Sequence, residues 1–125
     1  MMENFREFDA GPDPFGRMWH VQFKWMLTAI STRGADAIDV KFIVTSGDES
    51  YEKIISMRHP DILRQSEKTG RPVTDPWCSK LAALHLTHMI ETWEDMDKDL
   101  VTMSPAELAE YASAVKSGAA VAKAR

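Results

Sequence analysis

Between Met18 and Ser31 the odd positions are Trp19, Val21, Phe23, Trp25, Leu27 and Ala29. The even positions set His20, Gln22, Lys24 and Thr28 among Met18, Met26 and Ile30. Such a period of two marks a strand with one buried face. The run is long for a single strand, so a bend or bulge inside it is expected. Thr32-Arg33-Gly34-Ala35-Asp36 reads as a turn, after which Ile38, Val40, Phe42 and Val44 alternate with Asp39 and Lys41. Ser46-Gly47-Asp48-Glu49 turns the chain again. A third strand from Tyr51 to Arg58 sets Tyr51, Ile55 and Met57 on one face and Ile54 on the other. Alternating runs joined by short turns predict an antiparallel three-stranded meander.

After Arg58 the period changes. His59-Pro60-Asp61 opens a short helix, with Pro60 suited to its first position, and Gly70 closes it. A second helix starts with Asp75 as N-cap and Pro76 behind it, and runs to about Trp93. On it Cys78, Ala82, Leu86, Met89, Ile90 and Trp93 share one face. Trp77, Leu81, Leu84 and His88 lie nearly opposite, with His85 at the boundary. A helix apolar on two sides is expected to be sandwiched. The third helix opens with a capping box, Ser104 to Glu107, and carries the stripe Leu108, Tyr111, Ala112, Val115 and Ala119; Gly118 marks its end.

The architecture this predicts is an α+β two-layer sandwich, the three-stranded meander followed by three helices. Residues 1–17, punctuated by Gly11, Pro12, Pro14 and Gly16, read as an irregular N-terminal arm pinned by Phe5, Phe8 and Phe15. Residues 18–117 form one α+β domain and 118–125 an Ala-rich tail. The length of 125 residues suits a single domain. With 44% hydrophobic and 27% charged residues, it has the composition of an ordinary globular chain.

Charge narrows the function. The net charge is −4 and the basic residues are scattered, so the footprint of a nucleic-acid binder is missing. No apolar stretch approaches the roughly 20 residues that span a bilayer. The opening segment is acidic where a secretory leader is basic and then apolar. A lone cysteine, Cys78, rules out an internal disulfide, and the expected compartment is the cytoplasm.

Few residues have the spacing of chemistry. His85 and His88 lie about one turn apart with Glu91 one turn later, a spacing that can place nitrogen and oxygen ligands on one metal. The simpler expectation packs His88 among Trp77, Leu81 and Leu84 and leaves His85 at the rim. Trp77-Cys78-Ser79-Lys80 lacks the second cysteine of a dithiol redox site, and Cys78 falls on the main apolar face. Asp95, Asp97 and Asp99 match the first, third and fifth places of a calcium loop. Leu100 and Ala106 stand where that loop needs Gly and Glu. No catalytic constellation and no cofactor motif is legible. The expected function is therefore a small non-enzymatic binding or protein-interaction module, a homodimer paired through an edge or the far face of its sheet. The alternative is a metal-dependent or ligand-processing protein built on His85, His88 and Glu91.

Overall fold

The computed structural model describes residues 5–29 and 36–116. Ile30, most of the 32–36 turn, Gly118, Ala119 and the tail, on which some expectations fall, lie outside them. The elements are β1 (Glu7–Ala10), β2 (Trp19–Ala29), β3 (Ala37–Ser46), β4 (Glu49–Arg58), α1 (His59–Thr69), α2 (Asp75–Thr92), β5 (Leu100–Thr102) and α3 (Pro105–Lys116). They make an α+β fold with a five-stranded sheet in the order β1-β2-β3-β4-β5. The expected meander β2-β3-β4 is its centre, and each side gains a strand.

Both additions are short. β1 is Glu-Phe-Asp-Ala, drawn from the segment read as irregular, and pairs antiparallel with β2 from Glu7↔Gln22 to Ala10↔Trp19. β5 is Leu-Val-Thr and pairs parallel with β4, Ile55 facing Val101. A parallel partner needs a long crossover, and α1 and α2 supply it. Each edge offered by the meander is thus covered in part within the chain, β1 taking Trp19 to Gln22 of β2 and β5 taking Ile54 to Ser56 of β4.

The main correction lies within β2. Phe23 pairs with Phe42, but Trp25 rather than Lys24 follows in register, opposite Lys41. Lys24 is the extra residue of a bulge, and an extra residue exchanges the two faces for everything after it. Met26, opposite Val40, therefore turns to the core, where Ser79 Oγ lies 3.7 Å from its sulfur. Trp25 and Leu27, expected inside, turn outward, and Leu27 is 47% exposed.

The core face is otherwise as patterned. Trp19, Val21, Val40, Phe42, Val44, Ile55 and Met57 are buried beneath the helices. Lys53 breaks the hydrophobic rule from the same face. Its stem is buried and its Nζ donates to the carbonyls of Met96 (2.6 Å) and Lys98 (2.7 Å), tying the connection after α2 to the sheet. Burial pulls this ammonium below the usual lysine range, with Asp99 and Asp97 opposing.

The helix ends follow from their residues. Gly70 closes α1 in the left-handed region, at φ 74°. The N-cap of α2 is Thr74, one residue before the expected Asp75; its hydroxyl accepts from the Trp77 N–H at 3.3 Å. The α3 capping box forms in both directions, Glu107 N–H to Ser104 Oγ at 3.1 Å and Ser104 N–H to Glu107 Oε1 at 2.9 Å. α2 is buried on nearly every side, from Trp77 and Cys78 to Met89 and Ile90. Leu108, Ala112 and Val115 of α3 are buried too. Among the described residues no helix is long and apolar enough to cross a membrane.

Candidate functional site

The residues picked out for metal chemistry do not converge as three. His85 is the buried imidazole and His88 the half-buried one, the reverse of the expected placement. Their rings stack at 6.2 Å, and His85 Nδ1 lies 3.0 Å from the Tyr111 hydroxyl. Burial pulls the His85 pKa down; Glu107 opposes this and His88 adds to it. Its Nε2 is buried without a partner among the described residues. Glu91 is exposed, and no group of three His, Cys, Asp or Glu is placed to hold a metal ion among the described residues. Burial, then Asp75, pushes the Cys78 thiol up to about 11, which makes it a poor nucleophile. Asp95 bonds Lys98 at 3.1 Å within the turn after α2.

A different cluster forms around Arg17. The loop between β1 and β2 begins at Gly11, whose φ is 123°; a Cβ there would come within 2.9 Å of the Arg17 carbonyl. Asp13 organises the rest. One carboxylate oxygen accepts from the Phe15 and Arg17 N–H groups, both at 2.9 Å. The other accepts from Arg17 Nε at 3.0 Å and Trp19 Nε1 at 2.9 Å. Burial pushes the Asp13 carboxyl up, but the hydrogen bonds from Trp19, Arg17 and Phe15 outweigh it and hold the pKa at about 2.

Arg17 then reaches Glu49 at the start of β4, Nη1 to Oε2 at 2.8 Å. Its guanidinium carbon sits 4.9 Å from the Trp19 ring, 5.2 Å from Trp93 and 5.8 Å from Phe15. Trp93 meets Trp19 at 5.7 Å and Phe15 edge-on at 5.7 Å. Tyr51 lies 5.8 Å from Trp19 and donates its hydroxyl to Glu49 at 2.7 Å. Phe15 is 69% exposed and Tyr51 42%.

Trp93 reaches this cluster at a cost. It caps α2 in the left-handed region, φ 64° and ψ 15°, where glycine or asparagine is usual. A bulky residue there costs about 1–2 kcal/mol, and backbone strain of this kind gathers at functional sites. The following connection is acidic. Glu94, Asp97 and Asp99 make no direct ion pair among the described residues.

Sequence reasoning missed this site because its parts lie far apart in the chain and Phe15 looked like an anchor. The available signal was Asp13-Pro14-Phe15-Gly16 before Trp19, a turn-forming carboxylate beside an aromatic. Comparison of the chain with known protein families, with curated proteins and with solved structures finds no match.

Proposed function

We propose that this chain is a small non-enzymatic binding module that engages a protein partner through its aromatic end, the partner offering arginine or lysine side chains. One arrangement carries this reading: Phe15, Trp19 and Trp93 gathered on the Arg17 guanidinium, with Phe15 and Tyr51 left exposed. Tryptophan, tyrosine and arginine are the residues on which interface energy concentrates. Phe15 and Tyr51 offer exposed ring surface for contact, and Glu94, Asp97 and Asp99, which make no direct ion pair among the described residues, supply a field that steers a cation. The cytoplasm is the proposed setting, supported by one buried cysteine without a disulfide. Titration with a capped peptide of alternating glycine and arginine, read by tryptophan fluorescence, tests the proposal. The expected result is a saturable change that weakens with added salt and is absent with the glycine–glutamate peptide. Indistinguishable curves for the two peptides would refute it.

Homodimerisation is a second reading, favoured by the sheet face opposite the helices. Trp25, Lys41, Ile54 and Leu100 are cross-strand neighbours in one row over it, and Leu100 is 49% exposed. Lys41 is bonded to Glu52 at 2.8 Å, so the face carries both signs of charge, which two copies can pair across a two-fold axis. Light scattering coupled to size exclusion should give twice 14.1 kDa at micromolar concentration and a monomer for Ile43→Glu. A constant 14.1 kDa across a hundredfold dilution series rejects it.

A further inference from the structure

We infer that β1 is a proton-controlled strap, locked onto β2 while His20 carries its second ring proton and loosened when that proton leaves. β1 is an edge strand of four residues, short enough for its hold on the sheet to rest on few contacts. Side chains alternate between the two faces of a strand, so Glu7 and Asp9 share the outer face with His20, away from buried Trp19 and Val21. Asp9 stands directly opposite His20, and Glu7 lies on the diagonal, opposite Gln22.

Both outer side chains of β1 end on this one imidazole. Nδ1 lies 3.0 Å from Asp9 Oδ1, and Nε2 lies 2.8 Å from Glu7 Oε2. A carboxylate only accepts, and a neutral imidazole has one N–H and one lone pair. Only the imidazolium can donate to both oxygens at once. The hydrogen bond to Asp9, then that to Glu7, raises the His20 pKa above its ordinary 6.5, while partial burial opposes them. Histidine serves as a pH sensor in that range.

The other strands bring no competing partner. β3 sets Thr45 opposite His20 and Ile43 opposite Gln22. Beyond it β4 sets Ser50 and Glu52, and Glu52 is bonded to Lys41. Arg6, just before β1, lies over the Phe23 ring at 4.8 Å. Once the ring is neutral, one nitrogen turns a lone pair toward a carboxylate, and two carboxylates share a face without a cation between them. The clamp is therefore complete below pH 6.5 and is lost as pH rises through the higher folded value. Its release uncovers the edge of β2 from Trp19 to Gln22 and needs no partner at the aromatic end.

Hydrogen exchange of the β1 amides, followed by NMR and corrected at each pH for the exchange of an unfolded chain, tests the strap. His20→Gln identifies the His20 ring signal among the four histidines. Its titration midpoint should lie above 6.5 and fall back toward that value in Glu7→Gln/Asp9→Asn. Protection of β1 should drop about fivefold from below to above the midpoint, as expected for the two exposed ion pairs of His20. Protection of Val40, Phe42 and Val44 in β3 should stay level. His20→Gln, whose amide takes up no proton, should show low β1 protection at every pH. Level β1 protection in the parent, an equal drop in His20→Gln, or a midpoint at or below 6.5 overturns the inference. A drop shared equally by β3 also overturns it, since the whole sheet rather than the strap would then be opening.

Discussion

Trp19 and Trp25 belong to the same strand, and each has a cation over its ring, yet the bulge at Lys24 gives them opposite fates. Trp19 is fully buried, bonded through Nε1 to Asp13 and covered by Arg17 at 4.9 Å. Trp25 is half-buried on the outer face, with the Lys41 ammonium 5.6 Å from its ring. The pairwise chemistry is alike and the surroundings are not. Around Trp19 a buried carboxylate fixes the guanidinium and two further rings, Tyr51 and Trp93, close in. Around Trp25 the cation also answers to Glu52 and the solvent. A cation over an indole becomes part of a built site only where other groups hold it still.

The largest expected effect follows from that burial. Trp19→Ala should cost about 3–5 kcal/mol in denaturant melts, as for a large aromatic removed from a packed core. A loss as small as that of a surface substitution would mean that the loop from Gly11 to Met18 does not pack as described.

An intermediate effect concerns acid. The Asp13 pKa is about 2 in the folded chain against an ordinary 3.8, so its contribution is present above the ordinary value and is lost as pH falls through about 2. The parent should lose melting temperature between these values. Asp13→Asn should begin lower at neutral pH and show a smaller loss over that interval. Parallel pH profiles for the two proteins would contradict the network of four N–H donors.

The smallest effect is the one that sequence reasoning would have ranked among the largest. Strict alternation puts Trp25 in the core with Trp19 and Phe23, whereas the bulge makes Trp25→Ala worth about 1 kcal/mol or less. Equal costs for Trp19→Ala and Trp25→Ala would restore the unbroken alternation and dismiss the bulge.

That reversal shows what a pattern can and cannot specify. The β2-β3-β4 meander was legible because Val40, Phe42 and Val44 alternate with polar neighbours, and the helices because Pro60, Gly70 and the Ser104–Glu107 box punctuate them. The phase of β2 after Phe23 was not, since Trp25, Met26 and Leu27 are all apolar and either face accepts them. β1 and β5 were hidden by brevity; with Glu7 and Asp9 flanking a single Phe8, β1 reads as polar chain. Lys53 occupies a core-facing position that its charge disguises, and only the carbonyls of Met96 and Lys98 explain it. Of the expected metal set, His85 and His88 meet as a stacked pair while Glu91 stands in solvent. The aromatic end was least legible, because Arg17, Glu49 and Trp93 come together only through the Asp13 loop and the left-handed cap of α2.

The two indole–cation sites also decide the proposed function. Phe15 is mostly exposed, so Phe15→Ala should leave folding intact. Trp93→Gly removes a ring from a position whose backbone glycine adopts freely. Each should weaken the glycine–arginine peptide about tenfold, about 1.4 kcal/mol, while Trp25→Ala leaves its affinity unchanged. Equal weakening by all three variants, or none by Phe15→Ala and Trp93→Gly, would contradict recognition at the aromatic end.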